Sequence, residues 1–259
     1  MTSTTGPNHK HHVGAAHTLA FLQAFASPGE RVLDAGCGDG FLAKCLMDAG
    51  FKVTAIDTSN EAIEESMGTG VEAQVANFLE YKPAQRFDVI LLSRSLHHMH
   101  PIEKAVEQAH SLLKEDGLML LEDFGAELLD LKTAMWFYGL KALILETTKP
   151  PKEHGPKLEA GSIPQDPLKN WQDHHFEKHD VIPSSDILPV LPLYFDLIHV
   201  EQVPYLYRYL LDYVSHEQGQ QIFDWEAALM ASATITPIGI RAAGRKLTTD
   251  TAGADTRND

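Results

Sequence analysis

Apolar residues recur along the chain with two different spacings. Short runs of consecutive apolar residues, typical of buried strands, lie between longer stretches in which apolar residues are three or four positions apart, as on one face of a helix. The runs predict strands at residues 31–35, 52–56, 71–76, 87–92, 118–122, 195–203 and 238–243. The helical spacing predicts helices at residues 15–25, 41–49, 59–67, 102–113, 127–146, 205–214 and 218–232.

The order of these elements predicts the class of fold. Up to Phe124 the strands and helices alternate with short connections, and the strands are apolar on both faces. This pattern is typical of a buried parallel sheet flanked by helices.

Two local signals refine the element boundaries. Thr58 and Glu61 have the spacing of a capping box, so Thr58 is expected to cap the helix at residues 59–67. The sequence KEDG at residues 114–117 predicts a turn before the fifth strand.

The chain is expected to form one domain with two loose ends. We expect a flexible arm at residues 1–14, a single domain at 15–247 and a disordered tail at 248–259. Residues 125–192 are rich in Pro, His and Lys over much of their length. This segment is interpreted as an insertion after the fifth strand that caps the strand ends.

Composition narrows the classes of partner. The chain has 36 Asp and Glu against 21 Lys and Arg, a formal net charge of -15, which disfavours a nucleic-acid substrate. Its two cysteines are expected to be reduced thiols. No apolar run reaches the roughly 20 residues of a membrane helix, and the polar N-terminal segment has no signal-peptide core. A cytoplasmic location without membrane contact is therefore expected.

A glycine-rich segment follows the first strand. The sequence DAGCGDG at residues 34–40 lies between a predicted strand and a predicted helix. Glycine is required where a ligand approaches the backbone too closely for a Cβ, and open α/β sheets bind ligands at the carboxyl ends of their strands. The segment therefore predicts a ligand site.

The residues around the glycines favour a cationic ligand. A dinucleotide-binding fingerprint would have a third glycine where this chain has Phe41. Asp34 and Asp39 would repel a pyrophosphate. S-adenosylmethionine carries a sulfonium and an ammonium group and no phosphate, so acidic residues suit it.

Asp57 ends the second predicted strand, at about the 20-residue distance expected of a ribose-binding acid. A carboxylate can accept hydrogen bonds from both ribose hydroxyls. The alternative is a solvated residue on the approach to the next helix. The glycine segment at the right distance favours the ribose-binding interpretation.

Residues 31–124 resemble the class I S-adenosylmethionine-dependent methyltransferases, in the small-molecule branch that includes ubiquinone-biosynthesis methyltransferases. The resemblance lies in the segment at 34–40, in SRSLHH at 93–98 and in LKEDG at 113–117. It implies an α/β, Rossmann-like, doubly wound, mostly parallel seven-stranded sheet with helices on both faces and a capping insertion after strand 5.

The resemblance also implies a cofactor, S-adenosyl-L-methionine. Asn77 stands where the family often has an acid that reads the adenine amino group, and Arg94 replaces a small or polar residue. The implied cofactor-binding residues are Asp34, Gly36, Cys37, Gly38, Asp57, Thr58, Asn77, Phe78, Ser93 and Arg94.

Methyl transfer is an in-line displacement in which the protein aligns donor and acceptor, and an acceptor that must lose a proton needs a base. The candidate bases are His97 and His98, after the fourth strand, and His174 and His175, in the insertion. The first pair could instead be structural. The second pair could belong to a polar surface loop or hold a metal, although no metal site is assigned.

The sequence thus predicts a methyltransferase that acts on an oxygen, nitrogen or carbon atom of a small, partly apolar or aromatic molecule. The alternative is a catalyst on the same fold that binds S-adenosylmethionine without transferring methyl, as a pericyclase would. A homodimer is compatible with the sequence.

Overall fold

The structure, a computed structural model, describes residues 12–148, 155–158 and 161–248. Most of the predicted arm and tail lies outside these residues. The strands are β1 (Arg31–Ala35), β2 (Lys52–Asp57), β3 (Glu72–Val75), β4 (Phe87–Ser93), β5 (Leu113–Phe124), β6 (Phe195–Val203) and β7 (Gly239–Lys246). The helices are α1 (His12–Gln23), α2 (Phe41–Asp48), α3 (Asn60–Met67), α4 (Ile102–Leu112), α5 (Leu131–Thr147), α6 (Pro167–Gln172), α7 (Ser184–Ile187) and α8 (His216–Ala231). No helix in the described part of the chain is both long and apolar enough to span a membrane.

The strands form one seven-stranded sheet in the order β3-β2-β1-β4-β5-β7-β6. β7 runs antiparallel to both of its neighbours, and the other pairs are parallel. The strand order reverses at β1, so β1 and β4 diverge at the switch point where open α/β sheets bind ligands. This confirms the predicted mostly parallel, doubly wound sheet.

Successive residues of the central strands belong to different cores. Val32 packs with α1 and α2 on one face, whereas Leu33 packs with α4 on the other. Val89 and Ile90 divide in the same way. Side chains alternate across a strand, so apolar residues at every position require helices on both faces.

A third core lies over the carboxyl edge of the sheet. Trp171 of α6 and Phe137 of α5 are buried there with Phe124, the last residue of β5. The predicted insertion therefore caps the strand ends. It is more helical than expected, since a π-helix, Asp173–Lys178, continues α6.

Three predicted boundaries were wrong. α1 begins at His12, inside the expected arm, and Val13 is buried. Ser59 rather than Thr58 caps α3, because the Ser59 hydroxyl accepts from the Ala62 amide. Residues 114–117 lie within β5 as an interruption of its pairing, since Leu113 pairs with Phe87 and Leu118 with Val89.

Candidate active site

The glycine segment forms the turn between β1 and α2. Gly36, Gly38 and Gly40 all have positive φ, at 83°, 54° and 74°. A Cβ on Gly36 would overlap the Ser95 side chain, whereas one on Gly38 would have nothing within 4 Å. Gly38 therefore borders open space, and its backbone is accessible to a ligand.

Asp57 fixes the shape of this turn. Its carboxylate accepts hydrogen bonds from the Gly38 amide at 2.9 Å and from the Ser59 amide at 2.9 Å. The amides of Gly36 and Cys37 donate to the Ile56 carbonyl. Asp57 thus has a structural role, and an ionised carboxylate retains further lone pairs for a ligand.

The first of three adjoining cavities, the Asp57 cavity, has a volume of about 410 Å³. Its walls include Asp57, Thr58, Asn77 and Phe78, four residues that were expected to bind the cofactor. The Asn77 side-chain oxygen accepts from the Leu79 amide at 3.0 Å and caps the short helix Phe78–Glu80. That oxygen has a second lone pair, which a ligand could use.

The second cavity, the Asp34 cavity, has a volume of about 310 Å³ and adjoins the first at Gly36. Its walls include five residues that were expected to bind the cofactor, Asp34, Gly36, Cys37, Ser93 and Arg94. Gly38, the remaining expected residue, is not part of these walls. Gly14 and Thr18 of α1 and Tyr205, Arg208 and Tyr209 line the opposite side.

Asp34 is buried in an unusual electrostatic environment. Only 1% of its surface is exposed, and its Oδ2 has no hydrogen-bond partner in the described protein. Burial raises the pKa of Asp34 to about 7; the charge of Arg94 opposes this shift, and the carboxylates of Asp57 and Asp39 add to it. A cation placed in this cavity would satisfy the carboxylate.

The two cysteines are free, as predicted. Burial, followed by the negative charge of Asp34, raises the pKa of Cys37 to about 12. Its thiol therefore stays protonated at neutral pH, and it is unsuited to act as a nucleophile.

A buried ionic cluster holds α1 against the Asp34 cavity. Glu122 of β5 is fully buried; its Oε1 accepts from the Thr18 hydroxyl at 2.7 Å and from Arg208, and its Oε2 accepts from Arg241 at 2.7 Å. Burial would raise the pKa of Glu122, but the two guanidinium groups hold it below its usual value. The cluster joins α1, β5, β7 and the segment after β6.

That segment is a 3-10 helix, Leu206–Tyr213, held by α8. Glu226 of α8 is buried and accepts from the amides of Tyr205, Leu206 and Tyr207 at 2.8–2.9 Å. It thereby caps the start of the 3-10 helix and sets the position of the aromatic residues that line the cavity.

The third cavity, the histidine cavity, has a volume of about 470 Å³ and lies under the insertion. All four candidate bases line it: His97, His98, His174 and His175. Phe124 and Tyr205 contribute apolar surface and stack at a centroid distance of 4.5 Å. Tyr205 and Tyr209 line this cavity and also the Asp34 cavity.

His97 forms a buried pair with Asp123. Its Nδ1 lies 2.5 Å from Asp123 Oδ1, and its backbone amide donates to the same carboxylate at 3.3 Å. Because an ionised carboxylate only accepts, Nδ1 carries the proton and Nε2 has a lone pair. This is how a general base is oriented.

His98 and His174 are kept neutral at physiological pH. Burial, then repulsion by the protonated form of His97, lowers the pKa of His98 to about 4. Burial, then the charge of His179, lowers the pKa of His174 to about 4.

His175 differs from the other three histidines because both of its nitrogens are engaged. Nδ1 lies 2.9 Å from the Trp171 carbonyl and must donate to it, so Nε2 accepts from the Tyr209 hydroxyl at 2.9 Å. Burial lowers its pKa to about 3. This arrangement holds Tyr209 in place and leaves no free nitrogen, which argues against the predicted role of His175 as a base.

The alternative of a metal site in the insertion gains no support. The described residues contain no group of three or more His, Cys, Asp or Glu that could hold a metal ion.

Arg94 lies where the three cavities meet and lines all of them. Its φ of 58° is in the left-handed region, and its amide donates to the Glu122 carbonyl at 2.7 Å. Few residues other than glycine adopt this backbone conformation.

Sequence reasoning missed several residues that shape these cavities. Glu122 and Asp123 are two adjacent acids at the end of an apolar strand, which was an available signal. Arg208 and Glu226 gave none, because their partners are distant in sequence.

Two sequence comparisons relate the chain to known proteins. The profile of a family described as "Methyltransferase domain" matches residues 8–165. A ubiquinone biosynthesis O-methyltransferase of Actinobacillus pleuropneumoniae serotype 5b is 31% identical over 103 residues, covering 35% of this chain and 44% of the relative. The first curated relatives are matched over only 29% to 51% of their own length.

Solved structures share the fold. The N-methyltransferase NodS of Bradyrhizobium japonicum, in complex with S-adenosyl-L-homocysteine, has a TM-score of 0.52 at 12% identity, with 95% of this chain and 90% of that chain covered. The 4+2 cyclase SpnF has a TM-score of 0.58 at 16% identity, with 94% and 84% covered. Similarity at these identities is a similarity of fold.

Proposed function

The chain belongs to the methyltransferase domain family, and from this premise we propose that it transfers a methyl group from S-adenosyl-L-methionine to an oxygen, nitrogen or carbon atom of a small molecule. One observation carries the proposal: the buried, unpartnered Oδ2 of Asp34 beside the open backbone of Gly38. An ionised carboxylate buried there destabilises the protein unless a cation lies next to it. The turn also has no room for a side chain at Gly36, because a Cβ there would overlap Ser95.

The residues fit the cofactor in two adjoining cavities. Asp57 and Thr58 would hold the ribose side, and Asn77 and Phe78 the base, within the Asp57 cavity. Asp34, Gly36, Cys37, Gly38, Ser93 and Arg94 would surround the charged methionine end. When bound, S-adenosyl-L-methionine supplies an electrophilic methyl group on a positively charged sulfur.

The histidine cavity would hold the acceptor. Nε2 of His97 takes the proton from an acceptor O–H or N–H as the methyl group arrives, and the Asp123 carboxylate stabilises the resulting imidazolium. His98 and His174 line the same cavity as neutral groups. His175 acts as a positioning residue for Tyr209. The insertion and Tyr205 exclude water from the reacting atoms.

The proposal extends to the organisation of the protein. Residues 12–247 would act as one methyltransferase domain in the cytoplasm, as a monomer or homodimer. The negative net charge of -15 supports a small-molecule acceptor over a nucleic acid.

Calorimetric titration with S-adenosylhomocysteine tests the cofactor part. We expect tight binding by the natural chain and at least a tenfold weaker affinity for Asp57→Ala, which loses both the ribose contact and the bond to Gly38. Asp48→Asn, an exposed change on α2, serves as the control. Indifference of the natural chain to the ligand, or full affinity in Asp57→Ala, would contradict the proposal.

Incubation with methyl-labelled donor and a panel of acceptors tests the reaction. His97→Ala should lower turnover by roughly 10²- to 10⁴-fold with little change in S-adenosylhomocysteine affinity. Donor binding without methyl transfer to any acceptor would favour the non-methylating alternative.

A further inference from the structure

We infer that the acceptor is an anion, a small molecule that carries a carboxylate or phosphate group next to a flat apolar part. This inference rests on the proposed function and concerns the histidine cavity. The charge of that cavity differs from the charge of the rest of the chain.

The histidine cavity is basic although the chain is acidic. Arg94, Lys157 and Lys178 line it, together with five imidazoles, and no Asp or Glu among the described residues does. The chain as a whole has a net charge of -15. A cavity that gathers cations against this background attracts and concentrates anions.

Within the described parts of the chain, none of Arg94, Lys157 and Lys178 forms a salt bridge with a carboxylate. Lys169, on the same insertion, is by contrast paired with Asp173 at 2.6 Å. Asp123 and Asp180 are next in sequence to the lining residues Phe124 and His179. Both are engaged elsewhere, since Asp123 holds His97 and Asp180 lies beside His100.

The pKa shifts of two histidines also reflect positive charge in this cavity. After burial, the groups that lower the pKa of His174 are His179, Lys178 and Lys141. For His98, repulsion by the protonated forms of His97, His179 and His100 acts in the same direction, and the carboxylate of Asp123 opposes it. An anion in the cavity would offset this repulsion.

The remaining walls set the rest of the ligand. Phe124, Val181, Tyr205 and Tyr209 provide apolar and aromatic surface in the same cavity. The volume of about 470 Å³ suits a single small molecule. The charged end would face Lys157 and Lys178, and the nucleophile would face His97.

Two matched pairs of probes test the charge preference. Benzoate against benzamide examines a carboxylate, and phenyl phosphate against phenol examines a phosphate. Each is titrated by ligand-observed NMR into the full chain saturated with S-adenosylhomocysteine. We expect at least one anionic probe to bind about tenfold more tightly than its neutral partner, and the better pair identifies the anion.

Lys178→Gln should reduce this preference at least threefold, because it removes one exposed cation from the cavity wall. Lys169→Gln removes the same charge from the same insertion but does not line the cavity, so it should leave the preference unchanged. Melting curves confirm that both variants fold.

The outcomes separate the inference from the proposed function. Equal binding of charged and neutral probes, failure of both anions to bind, or a full preference in Lys178→Gln would overturn the inference while S-adenosylhomocysteine binding stands. If S-adenosylhomocysteine itself does not bind, the proposed function fails.

Discussion

Asp34 lies at the end of β1 with one carboxylate oxygen that no described group of the protein contacts. Burial raises its pKa to about 7, so the native, ligand-free chain binds a proton there more tightly than the unfolded chain does. The contribution of this residue to stability therefore decreases as the pH rises from about 4 to 7. The cation that we propose would bind the ionised form, so cofactor affinity has the opposite pH dependence.

We predict that the affinity for S-adenosylmethionine falls as the pH is lowered from 8 to 6, by less than about tenfold per pH unit. Asp34→Asn should remove this dependence, lower affinity at least tenfold at pH 8 and raise the melting temperature of the ligand-free protein. The rise should be about 2–4 °C for each kcal/mol gained. Calorimetry and melting curves at several pH values measure both effects. Unchanged affinity and pH dependence in the variant would refute the assigned role.

Single residues were predicted from the sequence where local spacing was enough. Asp34 and Asp57 follow adjacent parallel strands, so their placement beside adjoining cavities was foreseeable. The pairing of His97 with Asp123 was not, because it depends on the register of β4 against β5.

At the scale of elements, the 3-10 helix Leu206–Tyr213 depends on one side chain. Glu226 accepts hydrogen bonds from three successive amides at the start of this helix. Tyr205, just before the helix, and Tyr209, within it, line both the Asp34 cavity and the histidine cavity. The sequence predicted a helical segment at residues 205–214. It did not predict the tighter helix or the buried cap.

Glu226→Gln should destabilise the protein by about 2–3 kcal/mol, because an amide nitrogen replaces one of the two accepting oxygens. Affinity for S-adenosylhomocysteine should fall as well, since the tyrosines lose their support. Urea unfolding and calorimetry are the measurements. Glu217→Gln, an exposed change on the same helix, should cost less than about 1 kcal/mol. Equal costs for the two variants would argue against the cap.

Elements were predictable where burial alone determines them. The predicted bounds of the strands agree with the structure to within a residue or two, apart from β5 and the end of β7. Short runs of apolar residues bounded by turns indicate buried strands. The cap of α3 was misassigned because Thr58 and Ser59 are both able to cap and are adjacent in sequence.

At the scale of the whole molecule, Glu122 joins distant parts of the chain. Its partners Thr18, Arg208 and Arg241 lie 104, 86 and 119 residues away. Because no local pattern links such residues, the sequence predicted the class of fold but not the cluster that holds its N-terminal helix in place.

Glu122→Gln should cost about 3–5 kcal/mol in unfolding free energy, because the largely buried guanidinium groups of Arg208 and Arg241 lose the counter-charge that they share. Arg241 then keeps only the more exposed Glu201, at 3.6 Å. Glu115→Gln makes the same change on the same strand, at an exposed pair with Arg86, and should cost less than about 1 kcal/mol. Denaturant unfolding of both variants gives the comparison. A small cost for Glu122→Gln would show that the cluster is not a structural centre.

The position of Arg241 also has a consequence for protein synthesis. A nascent chain that has left the ribosome only as far as α8 contains the whole glycine turn, yet Glu122 still lacks one of its two guanidinium partners. The Asp34 cavity, against which this cluster holds α1, is therefore completed late in translation, after both arginines have emerged. Cofactor capture would then distinguish finished chains from truncated ones.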